Sequence, residues 1–252
     1  MFTLAEKTTA RSSFLHSWEA RHKLAGITAL IFSFSFVRDL RLLPLILAAS
    51  ALVYYLTALP PAYLFARLRL PSVFLLVPAM VLPFGSGQTV LARVGPLALK
   101  LEGSLALLLI AAKFISILTL AVSLFATTPL AGLAGAMRSL GVPSLLVEMV
   151  LFTYRYIFQL AGDLKRTGTA ATLRGFKGRS LLSLKTLAYM VGTLLVRSYD
   201  QSERVFQAMT LRGYGRAAVA VSATAPCRRD RLALAGALAL AAFVILVQVL
   251  VL

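Results

Sequence analysis

Apolar residues along the chain come in long blocks that are separated by charged or proline-rich breaks. Five of these blocks predict membrane-spanning helices, over residues 24–37, 42–59, 70–84, 103–127 and 232–252. A helix needs roughly 20 apolar residues to cross the hydrocarbon core of a bilayer, and the last two blocks meet this requirement most clearly. The first two blocks are short, and they predict a tightly connected helical pair.

Two connections are predicted between the earlier blocks. Arg67 and Arg69 indicate a basic loop before the third block. A second loop is predicted to begin at Gly85 and to carry Arg93.

Between residues 128 and 231 the pattern changes, because basic residues break the apolar runs at regular intervals. No uncharged stretch in this region comfortably reaches the length of a span; 145–154 and 186–196 come nearest. The pattern predicts long amphipathic helices at or under the membrane surface. The chain is therefore divided into an N-terminal membrane domain of about four spans (1–127), a cytoplasmic domain of coupling helices (128–231) and a C-terminal transmembrane helix (232–252).

Composition supports this interpretation. Hydrophobic residues make up 59% of the 252 residues and charged residues 14%, against about 25% charged in ordinary soluble domains. The formal net charge of +17 favours anionic partners. Because nucleic-acid-binding proteins rarely have so much apolar sequence, membrane lipids or an acidic protein are expected and nucleic acid is not. The predicted fold class is all-α, a polytopic membrane protein with about five spans.

The orientation follows from the distribution of the basic residues. Residues 138–231 are strongly basic, which places this stretch in the cytoplasm by the positive-inside rule. Counting spans in both directions then predicts a cytoplasmic N-terminus and a C-terminus outside.

The basic region contains an approximate internal repeat, over residues 166–176 and 204–214. Both copies contain Thr-Leu-Arg-Gly followed by an aromatic residue, with an alanine four residues before Arg174 or Arg212 and a further arginine eight residues before it. Glycine favours the left-handed backbone just past a helix end, and a cation is favoured in the last turn. Each copy therefore predicts a helix tip that presents a guanidinium to a carboxylate or to carbonyl groups of a partner.

A single such arginine is also common as an ordinary charge at the end of a helix. Two copies that share all of these aligned positions favour a functional role. Two equivalent tips suit a partner with two equivalent grooves, such as a dimer.

The sequence lacks other chemistry. It has no Gly-x-x-x-x-Gly-Lys-Ser/Thr phosphate loop, so the chain is not expected to hydrolyse ATP, and it has no recognisable catalytic group of residues. With one cysteine and only His16 and His22 as histidines, no metal or cofactor is expected to bind. Lys113 and Glu148 lie within apolar stretches, where they indicate either an ion path, as in a channel or carrier, or internal contacts.

Several stretches resemble the CbiQ/EcfT family, the transmembrane coupling proteins of energy-coupling-factor transporters. The two arginine-glycine helix ends resemble the family's signature motifs, although the family pattern is Ala-Arg-Gly and both copies here read Leu-Arg-Gly. Residues 127–143 are similar to the first coupling helix, and 154–156 to a Tyr-Arg-Tyr-like stretch. Residues 13–16 and 21–24 are similar to the N-terminal segment of cobalt-type members.

The resemblance implies a non-catalytic subunit in a bacterial inner membrane. Its partners would be two ATP-binding-cassette ATPase subunits and a separate substrate-binding membrane subunit, cradled by apolar faces between Val142 and Tyr199. The residues carried over as ATPase-docking positions are Ala171, Arg174 and Gly175 for one ATPase, and Ala208, Arg212 and Gly213 for the other. The implied substrate is cobalt, with nickel or a vitamin as alternatives.

Overall fold

The computed structural model describes residues 18–85, 90–94, 97–176, 182–215 and 228–251. In these ranges the chain is helical apart from one short hairpin. The elements are α1 (Ala20–Phe36), α2 (Leu43–Leu56), α3 (Pro61–Ser72), α4 (Leu76–Gly85), β1 (Val90–Val94), β2 (Leu97–Lys100), α5 (Leu101–Thr127), α6 (Leu130–Ser139), α7 (Ser144–Leu173), α8 (Leu182–Leu211) and α9 (Arg228–Val251). The all-α fold class is confirmed, with the hairpin as an addition.

Four helical segments in the described residues are long and apolar enough to cross a membrane. They are Pro61–Pro83, Leu101–Thr127, Ser144–Leu173 and Arg228–Leu250, and a shorter apolar segment covers Leu40–Leu56. The two clearest predicted spans correspond to α5 and α9. Helix α7 also reaches the necessary length and apolar content, although the sequence pattern assigned it to the membrane surface.

The third apolar segment begins earlier than predicted, at Pro61. Arg67 and Arg69 lie within α3, so the predicted basic loop is wrong. The helix starts here because proline suits its first position, where the missing N–H would have no intrahelical partner. The Arg67 guanidinium lies 5.6 Å from the ring centroid of Tyr63, one turn earlier, which is a cation–π contact that helical spacing provides.

The connection that carries Arg93 also differs from the prediction of a loop. Arg93 belongs to β1, which pairs antiparallel with β2, and its partner in the register is Ala98. In the hairpin, backbone N–H and C=O groups of the two strands form hydrogen bonds with each other. In an irregular loop the same groups would depend on water for their partners. Residues 86–89, in the predicted loop, lie outside the described residues.

The chain forms two compact units, Met1–Gly141 with Thr224–Leu252, and Val142–Ala223. The division made from the sequence placed α6 in the coupling region and α9 in a segment of its own. In the structure α6 and α9 both pack against α1 and belong to the first unit.

Helices α1 and α5 organise the first unit: α1 packs against α5, α6 and α9, while α5 also contacts α2, α3 and α4. The fully buried apolar side chains at the centre are Ile27, Phe34, Val37, Ile46, Leu120 and Val244. A Cβ atom on Gly26 would lie 3.2 Å from the Cβ of Ala237, so glycine allows the close approach of α1 and α9.

The buried face of α5 carries a stripe of small hydroxyl residues: Ser116, Thr119, Ser123 and Thr127. The hydroxyls of Thr119, Ser123 and Thr127 each donate to the carbonyl one turn earlier at 2.7 Å. Their polar groups are therefore satisfied inside their own helix, while their small size permits close packing of the neighbouring helices.

Lys23 is buried at the start of α1, with 1% of its surface exposed. Its Nζ donates to Thr127 Oγ1 at 3.3 Å, to the Thr127 carbonyl at 3.4 Å and to Thr128 Oγ1 at 3.2 Å. These acceptors lie at the C-terminal end of α5, where the helix dipole favours a cation. Lys23 is therefore a tie between α1 and α5.

The two charges within apolar stretches also have protein partners. Lys113 Nζ donates to the Ser35 carbonyl at 3.0 Å, and the Glu148 carboxylate accepts a hydrogen bond from the Tyr214 hydroxyl. These contacts favour internal structural roles over an ion path.

Candidate functional site

The second unit is built on a helical hairpin formed by α7 and α8. Three contacts follow one another along α7. Near its start, the Glu148 carboxylate accepts a hydrogen bond from the Tyr214 hydroxyl, and farther along, the side-chain amides of Gln159 and Gln201 form two reciprocal hydrogen bonds of 3.2 and 3.1 Å. Beyond these, a Cβ atom on Gly168 would lie 3.9 Å from Met190 Cε. Residue numbers rise along one helix and fall along the other, so the helices are antiparallel. Each has 30 residues, which corresponds to about 45 Å.

Helix α7 ends in a Schellman motif at the first repeat. The N–H of Gly175 donates to the Thr172 carbonyl at 3.0 Å, and the N–H of Phe176 donates to the Ala171 carbonyl at 3.1 Å. Gly175 has a φ of +89°, a backbone conformation that disfavours side chains with a Cβ atom. The chain therefore leaves the helix directly after Arg174.

Helix α8 ends in the same way at the second repeat. The N–H of Gly213 donates to the Thr210 carbonyl and that of Tyr214 to the Met209 carbonyl, both at 3.0 Å. Gly213 has a φ of +88°. The predicted glycine stop is thus observed at both copies, with matching hydrogen bonds and backbone angles.

Because the helices are antiparallel, the two tips lie at opposite ends of the hairpin. Tyr214, next to the second tip, contacts Glu148 in the first turns of α7, whereas Arg174 directly follows the end of α7. Arg212 therefore lies beside the early turns of α7. The separation is about 24 residues of helix, or about 36 Å.

The leucine before each arginine is almost fully exposed. Leu173 has 85% of its surface exposed and Leu211 has 90%, while Arg174 and Arg212 are also exposed. Each tip thus presents an apolar and a cationic side chain together. Both leucines differ from the Ala-Arg-Gly pattern of the family. Their repetition in the two copies was the signal in the sequence that could have identified them as part of the tips.

The alanines play different roles. Arg174 and Arg212 are 38 residues apart, so the counterpart of the exposed Ala208 is Ala170, which is also exposed. Ala171, named from the sequence as a docking residue, is half-buried, and its carbonyl accepts the N–H groups of both Arg174 and Phe176. In this structure Ala171 contributes to closing the helix end.

A groove lies beside each tip, between α7 and α8. The first groove, next to Arg174, has a volume of about 860 Å³, and Arg166, Arg174 and Arg197 all line it. The second groove, next to Tyr214, has a volume of about 510 Å³ and is lined mainly by apolar and aromatic side chains, including Phe152, Tyr156, Phe206 and Met209. The two ends therefore share backbone geometry but differ in the chemistry beside them.

The described residues contain no group of three or more side chains suited to hold a metal ion. His22 Nδ1 lies 2.7 Å from Glu19 Oε2, one turn earlier in the chain. His16 lies outside the described residues.

Comparison of the sequence with known proteins identifies its family. The family model described as CbiQ, cobalt transport protein, matches residues 11–222, which include both helix ends. The chain belongs to the CbiQ cobalt transport protein family. Together with the long apolar helices, this membership makes the chain a multi-pass membrane protein.

Two relatives are similar over shorter stretches of 88 residues, or 35% of this chain. The chain is 32% identical to the cobalt transport protein CbiQ of Rhodobacter capsulatus, over 36% of that protein's length. It is 26% identical to a protein of Methanocorpusculum labreanum named as a fused cobalt transport protein, CbiMQ, over 15% of that protein's length. The chain thus matches 36% of the length of the first relative and 15% of the length of the second.

Proposed function

We propose that the chain is the transmembrane coupling subunit of an ATP-driven importer of the energy-coupling-factor type. It would transmit the motions of two ATPase subunits to a separate substrate-binding membrane subunit. The observation that carries this proposal is the pair of matching Leu-Arg-Gly helix ends at opposite ends of one antiparallel hairpin.

The hairpin suits a partner with two equivalent binding sites. A pair of 30-residue helices can hold the two tips tens of ångströms apart, so that each tip would contact a different subunit of an ATPase dimer. Because long paired helices transmit displacement as rigid elements, closing of the ATPase dimer would move both tips and change the arrangement of the hairpin.

Each tip offers the chemistry of a docking element. The exposed leucine would enter an apolar pocket of the ATPase, and the neighbouring guanidinium would form charge-assisted hydrogen bonds with a carboxylate or carbonyl group. Glycine ends the helix at the point of contact, so no further turn obstructs the partner. Arg174 would dock on one ATPase and Arg212 on the other.

ATP hydrolysis and substrate recognition belong to the partners in this proposal. The chain would take no catalytic part, since its sequence has no phosphate loop. Cobalt is the proposed substrate, as the family description and the names of both relatives refer to cobalt transport. The name of the relative described as a fused cobalt transport protein also supports association with a second transport component. Nickel or a vitamin stays an alternative that the identity of the membrane partner would decide.

We further propose that the hairpin and the N-terminus face the cytoplasm of a bacterium and that the C-terminus faces outside. The basic composition of residues 138–231 supports this orientation. A cytoplasmic hairpin would place both tips on the side of the membrane where ATP is available.

The test is co-purification together with uptake. The wild-type chain, expressed with its neighbouring transporter subunits, is expected to retain ATPases and to support ATP-dependent cobalt uptake. Replacing both Arg174 and Arg212 with Ala is expected to abolish retention or to uncouple uptake from hydrolysis. Arg155→Ala with Lys165→Ala is the matched control, because it removes two exposed cations of the same hairpin that lie outside both repeats.

Unchanged ATP-dependent uptake in the Arg174/Arg212 variant would show that the tips have another role. A co-purified membrane partner with an N-terminal histidine cluster would indicate a transition metal. A vitamin-binding partner would exclude cobalt as the substrate while leaving the coupling role intact.

A further inference from the structure

The two grooves of the hairpin occupy equivalent positions, yet they differ in charge. Three arginines line the first groove. No arginine is among the described residues that line the second groove. Gln159 occupies the repeat position equivalent to Arg197. Arg204 and Arg212 occupy the repeat positions of Arg166 and Arg174, but neither lines the second groove, so the arginine lining is confined to the first groove.

Arg166 and Arg197 lie at nearly the same level of the hairpin. The contact of Gln159 with Gln201 and the approach of Gly168 to Met190 lie on either side of this level. Antiparallel pairing therefore brings the two arginines, one from each helix, to within about one helical turn of each other along the axis. Arg174 is about 12 Å farther along the groove, at its other end.

These cations have little compensating negative charge in the groove. Arg166 Nη1 lies 4.0 Å from Asp163 Oδ1, too far for a hydrogen bond, and its side chain is 87% exposed. No carboxylate is among the described residues that line the groove. Two guanidinium groups from opposite walls would instead bind a shared anion, and phosphate fits their planar forks well.

The remaining walls favour an amphipathic anion over a purely charged one. Ala170, Phe176 and Met190 contribute apolar surface, while Thr186 and Thr193 contribute hydroxyls. A volume of about 860 Å³ lies within the range of sites that hold small organic molecules. In a membrane protein, basic pockets between helices at the membrane surface bind anionic lipid headgroups.

We propose that the first groove is a binding site for an anionic phospholipid. Arg166 and Arg197 hold the headgroup phosphate, and the glycerol and first acyl carbons lie along Ala170 and Met190. The second groove, which has apolar walls and lacks a described cation, does not bind this class of lipid. This site does not depend on the proposed coupling function, because Arg174 stays available for a protein partner.

Native mass spectrometry of the detergent-purified full chain tests the site. The chain is titrated with phosphatidylglycerol or with phosphatidylcholine, and the dissociation constant of the first bound lipid is measured. Wild type is expected to prefer phosphatidylglycerol. Arg166→Gln with Arg197→Gln is expected to weaken phosphatidylglycerol binding roughly ten-fold or more, on the scale of one arginine near an anionic membrane surface for each change.

Arg155→Gln with Arg204→Gln is the matched control, since it removes the same charge from exposed positions that line neither groove. This control is expected to keep the preference. Arg166→Lys with Arg197→Lys retains the charge but not the planar guanidinium groups. This variant is expected to bind phosphatidylglycerol with intermediate affinity. Circular dichroism verifies that each variant is folded. If a double variant at Arg166 and Arg197 does not fold, the single variant Arg197→Gln is used in its place.

Four results would overturn the proposal. The first is equal binding of the two lipids by wild type, and the second is an equal loss in the control, which would indicate a diffuse charge effect. The third is displacement of the lipid by inorganic phosphate at constant ionic strength, which would identify a free-phosphate site. Normal lipid binding by the groove variant, with loss of co-purified ATPases, would assign the groove to a protein partner and likewise refute a lipid site.

Discussion

The exposed leucines at the helix tips allow the docking proposal to be tested quantitatively. Leu173 and Leu211 are 85% and 90% exposed, so nearly all of their apolar surface is available for burial in a partner. Complete burial of a leucine side chain contributes about 1.5–3 kcal/mol, and alanine retains only a part of this. Leu→Ala at one tip is therefore expected to cost about 1–2 kcal/mol of binding free energy, or roughly ten-fold in Kd.

The two tips should contribute independently. They are about 36 Å apart, far beyond the distance at which substitutions usually couple. The free energies of the two single changes are expected to add, so the double variant should bind about a hundred-fold more weakly. Alanine has the highest helix propensity, and both positions are exposed, so the helices themselves should stay intact.

The assay is a titration of the nanodisc-reconstituted chain with fluorescently labelled ATPase subunits of the same transporter. Leu195→Ala is the control, because Leu195 is 71% exposed on α8 but lies away from both tips. If one single variant binds like wild type and the double variant binds no more weakly than the other single variant, only one tip docks. Equal losses in the Leu195 control would attribute the effect to general loss of apolar surface.

Three further predictions concern stability. Gly213→Ala is expected to destabilise the chain by about 1–2 kcal/mol because of its left-handed backbone, whereas Gly192→Ala within α8 should stabilise it by about 0.5–1 kcal/mol; opposite shifts of the thermal midpoint would verify both signs. Lys23→Ala should cost about 2–4 kcal/mol, since it leaves a cavity and buried acceptors, and an unchanged thermal midpoint would refute its role as a tie. Tyr214→Phe should cost about 1 kcal/mol and increase amide hydrogen exchange at the end of α8, because it removes the hydrogen bond to the Glu148 carboxylate, and unchanged exchange there would argue against this contact.

The helix ends were predictable because their causes are local. An arginine followed by glycine, after an apolar amphipathic run, contains the chemistry of a Schellman motif within six residues. The same is true of α5 and α9, whose long apolar stretches identify them as spans without knowledge of their neighbours. The third span was placed too late because Arg67 and Arg69 were taken as signs of a loop, although exposed arginines are compatible with a helix.

Contacts between distant residues could not be predicted in this way. Lys23 finds its acceptors more than 100 residues away, and Gly26 approaches Ala237 in the last helix. From the sequence, Lys23 is one basic residue among several near the N-terminus. Its burial follows from the packing of α1 against the end of α5, which no local pattern encodes.

The amino-acid sequence by itself determined that the chain is a helical membrane protein and that two of its helices end in the same arginine-glycine tip. Both properties depend on hydrophobicity and backbone preferences over short stretches of chain. Only the tertiary structure decided that α7 and α8 pair antiparallel, which separates the two tips. It also decided that Arg166 and Arg197, which come from different helices, face one groove while the equivalent groove is apolar. Side chains that are far apart in sequence meet only through helix packing. The duplicated motif was therefore predictable from short stretches of sequence, whereas the different linings of the two grooves were not.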